Sequence, residues 1–330
     1  MNYHRKYLKT NGIAMFDFDA KDYRDFVYGV VSKKLLSKKK QHVFKLWDEE
    51  LILFWNNGEV RCFKNACAHY GLPLNRGKLK ESQVRCGFHG WQYDLSDGSL
   101  IKAPLAKKKP SCGLKNYKAF IKGGIIFVYQ GSEQYFKKAQ EYILGEVLEH
   151  PASYWIVYET PFYNAVNSSL DYPHHAFHSM FYYTYGIYRA FSGKKNPLLT
   201  SYSPKMLEEG DNFFKYRIPE NNVEVTVHPF CTQYNDLVSL NKWQFFISPI
   251  SKAKCRYLIN IQSYSKNPLF RFVTYLFFHT IICRVALPED KVWLESSYQN
   301  WKSGENINLC DHDFGIKNYL RKFFIPCKTR

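Results

Sequence analysis

Two short cysteine–histidine pairs constrain this chain more than any other feature. Cys67-Ala68-His69 is followed, after sixteen residues, by Cys86-Gly87-Phe88-His89. Two thiolates and two neutral imidazoles can close a tetrahedral zinc site. The same four groups can hold a sulfide-bridged pair of irons, with the thiolates on one iron and the imidazoles on the other. That mixed set carries less negative charge than four thiolates, which lifts the cluster potential from about −400 mV to about −150 to +300 mV. In either case the segment must fold as two loops whose tips meet.

The surrounding residues favour iron. The string CAHYGLPLNRGKLKESQVRCGFHGWQYDLSDGSLIKAP, from Cys67 to Pro104, resembles the Rieske box of ring-hydroxylating oxygenases and related monooxygenases. Gly71, Leu74, Gly77, Gly90-Trp91, Tyr93, Gly98 and Pro104 stand at matching positions. Tyr70 replaces the usual Arg, a change that affects hydrogen bonding around the cluster and not its ligands. Leu72 and Phe88 occupy the positions of the extra cysteine pair in cytochrome-complex Rieske subunits, so the resemblance is to the lower-potential oxygenase and ferredoxin type. Rieske ferredoxins are little longer than the cluster domain, and about two hundred residues of this 330-residue chain remain.

Those residues contain Asn167-Ser-Ser-Leu-Asp171-Tyr-Pro-His174-His175-Ala-Phe-His178. Wound as a helix from about Asn164, the segment would place His174 and His178 on one face, able to take adjacent positions on one metal. It resembles the catalytic motif of Rieske oxygenases, Asn-x(2–3)-Asp-x2-His-x(3–4)-His, with His175 as the alternative to His174. Non-haem Fe(II) that activates oxygen is typically held by two His and one carboxylate. Leu287-Pro288-Glu289-Asp290-Lys291 resembles the family segment that supplies the carboxylate, with Asp290 the expected ligand and Glu289 in reserve. The competing reading is that both acids merely favour a helix N-terminus. Asp311-His312-Asp313 better matches an exposed tail segment than a ligand cluster. In the family motif Asp171 is not a ligand; with Asn167 it belongs to the catalytic machinery, joining the cluster of one subunit to the iron of its neighbour.

The resemblance implies an α+β chain in two domains. Residues 1–135 would form an all-β Rieske [2Fe–2S] domain with an N-terminal extension, and residues 136–330 a helix-grip catalytic domain with a curved antiparallel sheet around a mononuclear Fe(II). It implies a head-to-tail homotrimer, O2 as co-substrate, and electrons from NAD(P)H through a flavin reductase with or without a ferredoxin. The substrate would be a small organic molecule, hydroxylated or dealkylated by a monooxygenase in preference to cis-dihydroxylation of an aromatic ring. Two rivals remain: an electron-transfer protein without the second iron, and a zinc-binding interaction protein.

Local patterns agree with this division. Asn57-Gly58 between two β-rich stretches signals a hairpin, and Ile125–Gly131 reads as a last strand before a helical pattern over residues 134–150. Residues 221–230, 241–250 and 255–264 read as strands of an antiparallel sheet. Pro288–Trp301 reads as a helix with Pro in its first turn.

Charge and cysteines bound the remaining possibilities. The formal net charge is +17 and the pI near 9.3, yet no nucleic-acid-binding motif accompanies the lysine runs at Lys33–Lys34, Lys38–Lys40 and Lys107–Lys109. They read as solvated surface, or as a landing site for an acidic electron donor. Nine cysteines, an odd number, with no signal-peptide pattern in the first residues, point to a reducing, cytoplasmic setting. Cys62 reads as a buried thiol beside the cluster; Cys112, Cys231, Cys255, Cys283, Cys310 and Cys327 read as packing residues. The apolar stretch Phe270–Leu287, interrupted by Arg271, His279 and Arg284, is expected to be core and not a membrane span.

Overall fold

The computed structural model describes residues 23–143, 145–178, 202–238, 240–302, 310 and 313–324. Strands β1 (Val27–Ser32), β2 (Gln41–Leu46), β3 (Glu49–Asn56), β4 (Glu59–Lys64), β9 (Asn116–Lys122) and β10 (Ile125–Tyr129) form a six-stranded sheet in the order β1-β10-β9-β4-β3-β2. Helix α1 (Lys33–Lys39) joins β1 to β2, its N-terminus capped by Ser32, whose side chain accepts from the Leu35 amide. Between β3 and β4 the expected hairpin forms. Asn57 and Gly58 have φ of 48° and 87°, the paired left-handed conformations whose twist suits a two-residue turn.

Between β4 and β9 the chain folds a second, four-stranded sheet: β5 (Lys78–Lys80), β6 (Gln83–Arg85), β7 (Gln92–Asp94) and β8 (Leu100–Lys102), in sequential order. The first Cys–His loop leads into β5 and the second joins β6 to β7. A core of Phe54, Phe63, Leu74, Val84, Trp91, Tyr93 and Leu95 lies beneath them.

The second half is built on a seven-stranded antiparallel sheet in the order β11-β17-β16-β15-β14-β13-β12. Its strands are β11 (Ala152–Tyr158), β12 (Lys205–Glu209), β13 (Phe214–Ile218), β14 (Val223–His228), β15 (Cys231–Asp236), β16 (Asn241–Ser251) and β17 (Lys254–Ser263). Val223, Val225 and Val227 alternate inward along β14, the period-2 signature of a half-buried strand. Three stretches read from sequence as strands are thus β14, β16 and β17. Helix α3 (Phe162–Leu170) lies on β15, β16 and β17 and packs against α5 (Leu287–Lys302) and α6 (Phe314–Tyr319). This arrangement brings the motif at the end of α3 to the start of α5.

One core runs through both halves. Phe230 packs edge-on against Phe26 and Tyr28, at centroid distances of 5.0 and 4.8 Å. The turn after β2 is clamped to β16 by Trp47 and Asp48 amides donating to the carbonyls of Pro249 (3.1 Å) and Ile250 (2.7 Å).

Four expectations are corrected. The helical pattern over residues 134–150 yields only α2 (Phe136–Gln140); beyond it, Leu148 spends its amide on Gln244 and its carbonyl on Gly124, so Ile143, Val147 and Leu148 are buried by a wrapping segment, not a helix. His174 and His178 do not lie on one α-helix, because α3 stops at Leu170 and a tighter turn over Tyr172–Phe177 follows. Pro173 has no amide to donate and restricts Tyr172 before it, which explains the break. Phe270–Leu287 is core on one side only: Phe278, Cys283 and Leu287 join the main core, while Phe272, Val273 and Leu276 are exposed. It belongs to one continuous helix, Pro268–Asn300, that begins as α4 (Pro268–Phe277) and is long and apolar enough to cross a membrane by length and composition, with only 22% of its most apolar window buried. The inner side alone meets the sheet. Finally, Cys112 and Cys310 are exposed, in loops that have no core to fill, whereas Cys62, Cys231, Cys255 and Cys283 are buried as expected. Cys327, Asp311 and His312 lie outside the described residues.

Candidate metal centres

The two Cys–His loops are tight backbone turns. In the first, the Cys67 amide donates to the Leu72 carbonyl and the Gly71 amide to the Cys67 carbonyl, both at 2.8 Å; in the second, the Cys86 amide donates to the Trp91 carbonyl at 2.8 Å. Gly71 and Gly90 close these turns at φ of +72° and +70°, conformations glycine adopts without a Cβ penalty. The loops also approach each other closely: a Cβ at Gly77 would stand 2.3 Å from the Arg85 carbonyl oxygen. Asn65 braces the first loop, its Oδ1 accepting from the amides of Leu74 (2.9 Å) and Asn75 (3.2 Å).

This scaffold brings the four expected ligands together. His69 Nδ1 and His89 Nδ1 lie 3.1 Å apart, the separation that two metal–nitrogen bonds of about 2.1 Å span at an angle near ~95°. Trp91 stacks on the His69 ring at 4.5 Å with planes 4° apart, fixing that imidazole. Cys67 and Cys86 interact with each other in the buried layer below. Burial pushes the Cys86 thiol up, and the backbone amides of Phe88 and His89 pull it down. The Tyr93 hydroxyl is 3.0 Å from Cys67 Sγ and accepts from the Ala68 amide at 3.1 Å. Two sulfurs inside and two ring nitrogens nearer the surface fit the asymmetric ligation of a mixed Cys/His cluster. Tyr70 covers the His69 ring at 4.1 Å and is itself exposed.

The second group converges where α3 meets α5. His174, His178 and Asp290 each offer a ligand atom, and these atoms lie within 4.8 Å of one another. Asp290 Oδ1 is 3.5 Å from His174 Nε2 and 3.4 Å from His178 Nε2. Among the described residues His174 Nε2 is buried without a hydrogen-bond partner, a costly state for a polar atom unless a metal occupies the gap. Each ring is oriented from its far side. His174 Nδ1 bonds to the Asp171 carbonyl, and His178 Nδ1 lies 2.9 Å from Glu289 Oε2. Two neutral imidazoles and a carboxylate in this geometry fit a divalent iron site.

Burial pushes the His174 imidazole down, and the Asp290 and Asp171 carboxylates more than offset it, so its pKa lies above the ordinary value. His175 is held low by burial and by its two histidine neighbours; its Nδ1 faces the Tyr172 carbonyl at 3.0 Å, outside the convergent group. Asp171 sits just past α3 with its carboxylate 3.8 Å from His174 Nδ1. Burial raises its pKa, and His174 opposes that rise. Asn167, one turn earlier, has a buried Oδ1 without a partner among the described residues.

Sequence reasoning did not find Asn65 as a brace, Glu289 as a partner of His178, or Tyr158 and Tyr257. The latter two pack at 5.6 Å, and burial followed by the Asp290 charge pushes both phenols well above their usual range. Their strands, β11 and β17, are far apart in sequence, and only the sheet register brings them to Asp290.

Residues 26–118 match the Rieske [2Fe–2S] domain family. The chain is 33% identical over 109 residues to chlorophyllide a oxygenase, chloroplastic, of Chlamydomonas reinhardtii, covering 33% of this chain and 17% of that protein. It is 36% identical over 94 residues to the tert-butanol monooxygenase / tert-amyl alcohol desaturase oxygenase subunit of Aquincola tertiaricarbonis, covering 26% and 19%. The chain therefore spans under a fifth of the length of these two relatives. The terminal oxygenase of carbazole 1,9a-dioxygenase from Nocardioides aromaticivorans superposes with a TM-score of 0.68 at 17% identity, covering 89% of this chain and 92% of that one. The sequence match locates the cluster loops and the superposition extends over nearly everything else: residues 26–118 match a Rieske [2Fe–2S] domain, and the chain shares the fold of the superposed terminal oxygenase.

Proposed function

We propose that this chain is the terminal component of a Rieske oxygenase that uses O2 and externally supplied electrons to oxidise a small organic substrate. The observation that carries the reading is the convergence of His174, His178 and Asp290 within 4.8 Å, in a chain that also holds the two Cys–His loops. When loaded, the cluster would supply single electrons and the mononuclear iron would supply activation of O2.

The chain's own residues prepare both sites. Cys67 and Cys86 would hold one cluster iron, and His69 and His89 the other. With Cys67 a thiolate ligand, the Tyr93 hydroxyl 3.0 Å away would donate to its sulfur, and Trp91 keeps the His69 ring in place. At the second site, the Asp171 carbonyl and the Glu289 carboxylate keep a proton on Nδ1 of His174 and His178, which leaves each Nε2 lone pair directed at the metal position. Asp290 supplies the third ligand. The buried rings of Tyr158 and Tyr257 exclude water from the side of Asp290.

A monooxygenase outcome is preferred, supported by the tert-butanol monooxygenase among the sequence relatives. The superposed carbazole 1,9a-dioxygenase component supports ring dihydroxylation as the second reading. A ferredoxin or flavin reductase drawing on NAD(P)H would be the electron donor, and the exposed lysines of α1 and of Lys107–Lys109 suit an acidic one. The test is oxygen consumption with a generic reductase across aromatics, sterols, quaternary amines and alkaloids, with product analysis by mass spectrometry using 18O2. Protein that contains zinc and no acid-labile sulfide would overturn the reading.

A further inference from the structure

From Leu237 to Pro288 the sequence contains no Asp or Glu and seven Lys or Arg. The fold gathers part of this acid-free stretch into one exposed apolar surface. On the turn between β15 and β16, Val238 is 73% exposed and Leu240 is exposed beside it. The Tyr264 amide donates to the Leu240 carbonyl at 2.8 Å, which ties this turn to the segment that opens α4. On α4 the most exposed apolar residues are Leu269, Phe272, Val273 and Leu276, with Phe270 and Phe277 less exposed beside them. The spacing of the most exposed residues, i, i+3, i+4 and i+7, makes them a single apolar stripe, and it points away from the protein.

The opposite side of the same helix is anchored. Thr274 and Phe278 are buried, the Phe278 ring lies 6.0 Å from Trp243, and the Tyr275 hydroxyl accepts from the Ser263 amide at 3.4 Å. Lys266, just before the helix, and Arg271 and Arg284 along it are exposed. A contiguous apolar patch of this kind on a folded protein marks an interaction surface. The acids near this surface lie at its turn end, where the Asp236 carboxylate accepts from the Val238 amide and Glu146 pairs with Lys242; the α4 end carries Arg271 and no acid, so it disfavours pairing with its own copy and complements anionic headgroups.

We propose that this surface docks into the interface of an anionic lipid bilayer, with α4 lying in the membrane plane, its apolar stripe among the acyl chains and its basic residues at the headgroups. A membrane-crossing helix would have to abandon the Phe278 and Tyr275 contacts to the sheet. Surface docking keeps them. The proposal does not depend on which metals the chain holds.

The test is flotation of the purified full-length chain with vesicles of phosphatidylcholine alone and of phosphatidylcholine mixed with phosphatidylglycerol. Binding to the mixed vesicles is expected to exceed binding to pure phosphatidylcholine and to weaken with added salt. Phe272→Glu should lower the apparent affinity about tenfold or more, the scale of withdrawing one Phe-sized side chain from lipid. Arg271→Glu should lower binding to the mixed vesicles alone. Circular dichroism of both variants controls for folding. No flotation with either vesicle, or flotation unchanged in Phe272→Glu, would overturn the proposal. If Phe272→Glu instead breaks an oligomer without changing flotation, the surface belongs to a second copy. Salt-resistant binding with protease protection of the whole Pro268–Asn300 helix would replace docking by insertion.

Discussion

Glu289 and His178 meet at 2.9 Å through Oε2 and Nδ1, while Asp290, the next residue, faces the other nitrogen of the same ring at 3.4 Å. Adjacent acids in the first turn of one helix thus take opposite sides of one imidazole. The division gives them different expected roles. Asp290 is placed as a ligand, and Glu289 as the group that fixes the tautomer of a ligand.

Substituting them should separate these roles. Asp290→Ala should lose the mononuclear iron and turnover while the cluster spectrum stays intact. Glu289→Gln should retain the iron with affinity reduced about 10- to 100-fold, the usual effect of removing a carboxylate behind a ligating histidine. Iron per chain, titrated against a chelator, reads both. Full iron and activity in Asp290→Ala would transfer the ligand role to Glu289.

The cluster itself makes a spectroscopic prediction. Reduced protein should give a rhombic [2Fe–2S] signal with average g below two, and Cys86→Ser or His89→Ala should abolish it. Tyr93→Phe should keep the signal and lower the midpoint potential, because the 3.0 Å contact from its hydroxyl to Cys67 Sγ stabilises the more negative, reduced state. A hydrogen bond to a charged acceptor is worth about 1.5–3 kcal/mol, so a shift of roughly 60 mV or more is expected. An unchanged potential would show that this hydroxyl serves only the Ala68 amide.

The cluster loops were legible in the sequence because ligation and turn geometry demand particular residues at fixed spacing: Cys and His as ligands, Gly71 and Gly90 at positive φ, Gly77 where two loops nearly touch. The strands of the large sheet were legible through alternation, as in β14. Other features depend on tertiary context that no local pattern carries. The apolar repeat of residues 134–150 is compatible with a helix, and only the competing bonds to Gly124 and Gln244 unwind it. The run from Phe270 to Leu287 reads as core because apolar content does not say which side of a helix will be covered. Spacing alone could not assign Glu289 and Asp290 to opposite sides of His178, since that choice is made by α5 docking against α3.

A buried histidine away from both centres sets a pH dependence. Burial, followed by the charge of Lys122, lowers His228 from 6.5 to about 4. The folded state therefore favours the neutral ring more than the unfolded state does. The stability this provides is full above pH 6.5 and is lost as the pH falls towards 4, up to about 3 kcal/mol in all. Urea unfolding at pH 7 and pH 5 should show wild type losing about 2 kcal/mol more than His228→Gln over that interval. Parallel losses in both proteins would remove His228 from the account.

Asp171 is expected to couple the cluster of one subunit to the iron site of its neighbour. Its backbone carbonyl already takes the Nδ1 proton of His174, so the carboxylate, 36% exposed and 3.8 Å from that nitrogen, has a second direction in which to act. In a head-to-tail trimer the cluster of one chain would approach the iron site of its neighbour, and Asp171 would then orient two rings at once, its carbonyl holding the His174 N–H and its carboxylate accepting from the N–H of a cluster imidazole. The competing role is local: an acid at the end of α3 that merely stabilises the following turn. Asp171→Asn separates the two, because it keeps size and much of the hydrogen bonding while removing the charge. Trimer formation and loading of both metals should be normal, and most turnover should be lost because the reduced cluster no longer delivers its electron. Single-turnover mixing of reduced enzyme with substrate and O2 checks this directly. Cluster reoxidation as fast as in wild type would assign Asp171 to the turn alone.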